Sequence, residues 1–425
     1  MIQRIIFTGL ILCTSVIAGQ PQSVKATRKW VKNNGHTIIK DFAHLLSMPN
    51  VASDKLNIRR NAKYISNLFK KRGFDMQLLE TEDANPIIYG EYKTPGAKRT
   101  LCFYVHYDGQ PVDSNQWTHG PFEPVLYDAA MDGGGNPIPL PGKRTKIDPE
   151  WRLYSRSAGD DKAPIITILN AVDGLQSSKI GFTSNIKLFF EGEEEAGSTN
   201  LQAHITKHKA LLDDIDIWLF CDGPMHQSRQ PQLVFGVRGV TGMEITVYGA
   251  TRSLHSGHYG NWAPVPGQSL AHLIATMKDD NGKVLIDGFY DTVVPLSEFE
   301  RFELSKIPDV DRQLKKELGL AYTEGNGRSI NERLLLPSLT IKGLSSGNVG
   351  KKARNVIPNT ATAAIGVRLV KGNEPNDMLD KVEAHIRKQG FHIVYENPDM
   401  ATRRKYPKIA KVDRRGSGYI ASRTS

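Results

Sequence analysis

Cysteine is nearly absent from this chain: 425 residues hold three, and Cys13 falls in the amino-terminal stretch, leaving Cys102 and Cys221. So few exclude a disulfide framework, and because both sit in apolar runs we expect buried free thiols. No comfortable membrane span is present either. The best candidate, residues 5–17, is shorter than the roughly 18–20 apolar residues a spanning helix needs. Aromatics make up only 8%, and the formal charge of +10 is spread along the chain. Even the densest basic run, residues 403–415 (RRKYPKIAKVDRR), contains a single aromatic. That describes a solvated surface, and no nucleic-acid partner is expected. Repeats and low-complexity tracts are also missing.

What remains is an ordinary globular composition, 39% hydrophobic and 24% charged, in a chain long enough for more than one domain. Residues 1–18 read as a signal peptide: a basic start, an apolar run, then Ala18-Gly19-Gln20. The mature protein is therefore expected outside the cytoplasm, secreted or periplasmic, with no stable membrane span once the leader is removed.

The chain is organised around residues 101–108 (LCFYVHYD). A nearly continuous apolar run rich in β-formers predicts a buried strand, ending in a His-x-Asp step at His106 and Asp108. Residues 186–190 run into the acidic 191–195, and residues 215–221 end on Asp222. Between them Asp160-Asp161 precede a helix-like run. In open α/β sheets ligands bind at the carboxyl ends of strands, so four acid or imidazole clusters at such ends suggest one polar site. Singly, each has a plainer reading: a satisfied strand-end histidine, a solvated acidic turn, a helix N-cap. Jointly they point to divalent metal, which lowers the pKa of water from 15.7 towards about 7. A non-ligating glutamate beside it can then act as general base.

Helices are expected at residues 37–46 and 57–72, strands at 74–79 and 86–92, and a surface loop over 131–144. Beyond residue 237 the order strand-helix-strand-strand-helix-strand describes a ferredoxin-like arrangement inserted into the first domain.

Six motifs in order, HYDGQPVD (106–113), SAGDDKAP (157–164), EGEEEAGS (191–198), FCDG (220–223), SLHSGHYGN (253–261) and NVIP (355–358), resemble the co-catalytic di-zinc metallopeptidases. That family includes carnosine dipeptidases, aminoacylases and glutamate carboxypeptidase, and the first and fifth motifs lean to the dipeptidase branch. The resemblance implies an α/β fold, a zinc-exopeptidase-like mixed sheet flanked by helices, with an inserted ferredoxin-like α+β lid and dimerisation domain. It implies a catalytic domain over 27–236, the insertion over 237–396, and a return to the catalytic domain over 397–425. It implies two divalent ions, Zn²⁺ first and Mn²⁺ or Co²⁺ next, and a homodimer.

Carried over, His106 and Asp222 would ligate one metal, Glu195 the other, and Asp160 would bridge them. Asp108 would orient the imidazole, and Glu194 would be the general base. A shift by one, with Glu193 and Glu194 in those roles, stays open. A cis peptide bond after Asp160 is also implied. In the insertion, His255 would stabilise an oxyanion across a dimer interface, Asn355 would contact substrate, and Arg368 would grip its terminal carboxylate. The implied activity is hydrolysis of an amide bond in a dipeptide or small peptide with a free carboxylate, with N-acyl amino acids as an alternative substrate. The family's closing segment carries a final histidine ligand, and residues 397–425 hold no histidine. The sequence therefore also admits an inactive, truncated or degenerate homologue that acts by binding and dimerisation.

Overall fold

The computed structural model describes residues 21–423 apart from 224, 415 and 417. The leader expected over residues 1–18 lies outside the described residues. No helix among them is long and apolar enough to cross a membrane. The chain divides into two compact units, one ending at residue 224 and the other beginning at 225.

In the first unit, Gln22–Leu46 (α1) and Lys55–Lys70 (α2) precede the strands. α2 starts where the Asp54 carboxylate accepts the Asn57 N–H, and its stripe of Ile58, Ala62, Ile65 and Phe69 is fully buried. Gly73, at φ +89°, turns the chain out of the helix. The strands are Asp75–Leu79 (β1), Ile87–Tyr92 (β2), Thr100–His106 (β3), Val125–Tyr127 (β4), Pro137–Ile138 (β5), Arg152–Tyr154 (β6), Asn185–Glu191 (β7) and Ile217–Phe220 (β8). Five of them form a mixed sheet in the order β1-β2-β7-β3-β8, with β7, β3 and β8 mutually parallel.

β3 is buried on both sides, which explains its unbroken apolar sequence. Val105 packs among α1, α2 and the helix Lys162–Ser177 (α3), through Leu45, Ile65, Ile165 and Leu169. Cys102 and Tyr104 face the other way, against Leu79, Tyr89 and Phe189. Cys102 and Cys221 are both free thiols, Cys102 buried as expected and Cys221 only partly so. The loop foreseen over 131–144 is partly ordered as β5, which pairs with β4 in a small sheet β5-β4-β6. Gly and Pro mask this strand in the sequence, because only two residues pair.

The second unit contains Gly236–Val237 (β9), Gly239–Tyr248 (β10), Leu254–His255 (β11), Ser338–Ser345 (β12), Val356–Ile357 (β13), Thr360–Leu369 (β14), His392–Val394 (β15), Ile409–Arg414 (β16) and Ser422–Arg423 (β17). Helices Pro266–Ala275 and Pro375–Lys388 cover its five-stranded sheet, ordered β12-β14-β10-β16-β15. The expected strand-helix-strand-strand-helix-strand order is present, with one addition. β16 enters between β10 and β15, antiparallel to the first and parallel to the second. Residues 397–414 thus stay in this unit rather than leaving it at 397. The reason is burial: Ala410 and Val412 join Ile245, Val382 and Ile386 in one core.

Candidate metal centre

Parallel pairing brings three strand ends to one edge of the first sheet. His106 closes β3 opposite Glu191 at the close of β7. Cys221 N–H donates to Tyr104 O at 2.9 Å, which carries Asp222 alongside. The loop before α3 supplies Asp160, followed by a cis peptide bond to Asp161. His106 Nε2 lies 2.8 Å from Asp160 Oδ1, and 3.9 Å from both Asp222 Oδ1 and Glu194 Oε2. Donor atoms of His106, Asp160 and Asp222 all lie within 4.8 Å of one another. His106 is fully buried, whereas the Asp160 side chain is 70% exposed.

Glu194 and Glu195 sit in a short 3₁₀ turn, Glu194–Ala196, closed by Gly197 at φ +89°. Asp108, also fully buried, stands beneath it. Its carboxylate accepts the backbone N–H of Glu194 and of Glu195, each at 3.1 Å, and lies 3.5 Å from His106 Nδ1. Glu195 is not part of the converging donor group; its carboxylate accepts Gln110 Nε2 at 2.6 Å. Glu193 points elsewhere. Its carboxylate accepts Asn85 N–H at 2.6 Å and Asn200 Nδ2 at 2.8 Å, with Lys55 at 3.5 Å. A carboxylate so supplied has little capacity left for a cation, which favours Glu194 and Glu195 over the register shifted by one.

Electrostatics mark the same spot. Burial, then the charges of Asp222, Glu195 and Asp108, push Glu194 up to about 7, against the opposing pull of His106. Asp161 rises to about 8, mainly by burial, and Asp222 also rises by burial. Burial would lower His106, but its hydrogen bond to Asp108 and the charges of Asp108, Asp161 and Asp222 raise it to about 10. Carboxylates crowded about one imidazole call for positive charge. One imidazole nitrogen with carboxylate oxygens is a donor set suited to Zn²⁺, Mn²⁺ or Co²⁺, so the residues present fit a divalent cation.

The remaining candidates belong to the second unit. His255 in β11 pairs with Val356 in β13, and Ser256 N–H donates to Asn355 O at 3.0 Å, so His255 and Asn355 share one small ribbon. His255 Nδ1 accepts Gly257 N–H at 3.1 Å, and the His258 ring lies 4.7 Å away. Arg368 is on β14, opposite Val240 on one side and Ser338 on the other, with an exposed side chain. Sequence reasoning passed over Glu191, whose Oε2 accepts Tyr104 O–H at 2.5 Å in the interior beside His106. Its one signal was a glutamate closing the apolar run of residues 188–190.

A family model for a peptidase dimerisation domain matches residues 235–393. The chain is 27% identical over 370 residues to the Cys-Gly metallodipeptidase of Schizosaccharomyces pombe, covering 82% of this chain and 72% of that protein. To the Beta-Ala-His dipeptidase of Homo sapiens it is 27% identical over 382 residues, covering 86% and 69%. Among solved structures, an M20 family metallo-carboxypeptidase from Sulfolobus solfataricus aligns with TM-score 0.63 at 29% identity, over 83% of this chain and 76% of that one. Human carnosine dipeptidase 1 shares the fold, with TM-score 0.73 at 21% identity over 95% and 82%.

Proposed function

From a chain that carries the M20 peptidase dimerisation domain and is homologous to metallodipeptidases, we propose a metal-dependent hydrolase of dipeptides. The observation that carries this reading is the convergence of His106, Asp160 and Asp222 donor atoms within 4.8 Å at the carboxyl edge of a sheet. In it those three would hold one divalent ion, and Asp160 with Glu195 would hold a second; Zn²⁺ is the first choice, Mn²⁺ or Co²⁺ the next. When bound, the metal supplies Lewis acidity that makes water a competent nucleophile near neutral pH.

The chain's own groups do the rest. Glu194 takes a proton from the attacking water and delivers it to the leaving amine, a task suited to a carboxylate that stands 3.9 Å from His106 yet outside the donor group. Asp108 holds the His106 ring and the Glu194–Glu195 amides in register. In this reading Arg368 would bind the substrate's free carboxylate, Asn355 would make a polar substrate contact, and His255 would donate to the developing oxyanion across a homodimer interface. We place the mature protein outside the cytoplasm on the strength of residues 1–18.

The test is hydrolysis of Cys-Gly, β-Ala-His and a panel of other dipeptides and N-acyl amino acids by the chain, with Zn²⁺, Mn²⁺ or Co²⁺ supplied. Release of free amino acid that is abolished by a chelator supports the reading, and no hydrolysis with any metal ends it. One observation favours a second reading. Glu195 stands outside the donor group and Asp160 is largely exposed, which suits a homologue that binds and dimerises without turnover. Dimerisation with metal bound but no hydrolysis would select it.

A further inference from the structure

Asn50 follows α1 with none of its surface exposed, and it bonds to two of the three segments that carry the converging donors, those of His106 and Asp160. Its Nδ2 donates to Tyr107 O at 2.8 Å and to Ser157 Oγ at 3.0 Å, and its own carbonyl accepts Gly109 N–H at 2.9 Å. Tyr107 lies between His106 and Asp108, and Ser157 lies three residues before Asp160. One buried amide therefore ties the first loop to the second without touching a donor atom. The fit is close: a Cβ on Gly109 would meet Ser157 Oγ at 2.4 Å. Ser157 is itself buried and takes the left-handed conformation at φ +63°.

The same segment grips the second loop at its far end. Lys162, fully buried, donates from Nζ to Leu45 O and Met48 O, each at 3.0 Å, and its N–H donates to Ser157 O at 3.1 Å. Carbonyls at the end of α1 have no partner in their own helix, so a cation suits them. Residues 45–50 thus clamp both ends of the loop 157–162. Asp160 depends on that clamp, because its only side-chain hydrogen bond among the described residues goes to His106. Where its carboxylate stands is set by the backbone.

We infer that Asn50 is a positioning residue for cation binding: it fixes the separation between His106 and Asp160 by bracing their loops against one another. The inference rests on the reading that these residues hold a divalent ion. Its test is Mn²⁺ affinity of the full chain by titration calorimetry, alongside the unfolding temperature of the metal-free protein. Asn50→Ala should weaken Mn²⁺ binding by about tenfold or more, the scale seen when groups that orient metal ligands are removed. Asn185→Ala, which deletes an acceptor of Thr94 N–H at the opposite end of β7, should lower the unfolding temperature and leave affinity within about twofold. Ser157→Ala removes the hydroxyl through which the Asn50 side chain reaches the second loop and should weaken Mn²⁺ by about threefold or more. Wild-type affinity in Asn50→Ala overturns the inference, and so does an affinity loss in Asn185→Ala as large as in Asn50→Ala. If Asn50→Ala does not fold, unchanged affinity in Ser157→Ala overturns it. A wild-type chain that binds no Mn²⁺, Zn²⁺ or Co²⁺ removes the metal reading itself and takes this inference with it.

Discussion

Asp108 holds Glu194 by its backbone: the buried carboxylate accepts the Glu194 N–H at 3.1 Å, and the neighbouring Glu195 N–H at the same distance. It also lies 3.5 Å from His106 Nδ1. One side chain therefore sets both the imidazole and the acidic turn. Asp108→Asn keeps the shape but turns one acceptor into a donor that faces other donors. Burying such a mismatch costs about 1–3 kcal/mol, and loss of the ring's partner should lower metal affinity by about tenfold or more. Calorimetry on the variant, with metal and without, measures both. Unchanged values would show that the carboxylate only fills space.

Glu194 is the group whose removal should separate binding from turnover. Its Oε2 lies 3.9 Å from His106 Nε2, near the donors and outside their group. Glu194→Gln preserves volume and removes the proton acceptor, so kcat should fall by about 10²–10⁴-fold with metal affinity nearly intact. Dipeptide hydrolysis and Mn²⁺ titration on one preparation decide it. Turnover at the wild-type rate would assign the base elsewhere.

Glu193 should behave differently from both neighbours. Its carboxylate is occupied by Asn85 N–H and Asn200 Nδ2, so Glu193→Ala strands a buried N–H and should cost about 1–3 kcal/mol of stability. Metal stoichiometry should stay the same. A variant that folds normally but loses one ion would restore the register in which Glu193 is a ligand.

These contrasts explain what the sequence could disclose. The convergence of His106 and Asp222 was legible because parallel strands must end together, and the apolar runs before them mark where each strand stops; Asp160 ends no strand and was legible only as an acidic pair ahead of a helix-like run. The choice among Glu193, Glu194 and Glu195 was not legible, because three identical side chains in a row carry no pattern. The bonds from Asn85 and Asn200, the former 108 residues away, occupy Glu193 and favour Glu194 and Glu195 for those roles. β16 was missed for another reason. Lysine and arginine alternate with Ile409, Ala410 and Val412, and the run reads as a charged surface until β10 and β15 are seen to flank it.

The acid-rich site makes a prediction about pH. Glu194 near 7 and Asp161 near 8 both hold protons more tightly in the folded protein than at their ordinary values of 4.5 and 3.8. Without metal, the stability they contribute is complete below those ordinary values and is lost as pH rises through about 7 and 8. Other groups slope the opposite way: His204 and His385 are lowered by burial, and Lys162 is pushed down to about 7. The raw curve therefore mixes signs. The difference between metal-loaded and chelated protein cancels the distant histidines and isolates the site. A cation competes with the protons held by its proposed ligands His106 and Asp222, both raised in the metal-free protein, so its stabilisation should grow between about pH 5 and about pH 7. Calorimetric unfolding at matched pH, with Mn²⁺ and with chelator, measures the gap. A gap that is constant or shrinks over that interval would mean the cation does not bind at His106 and Asp222.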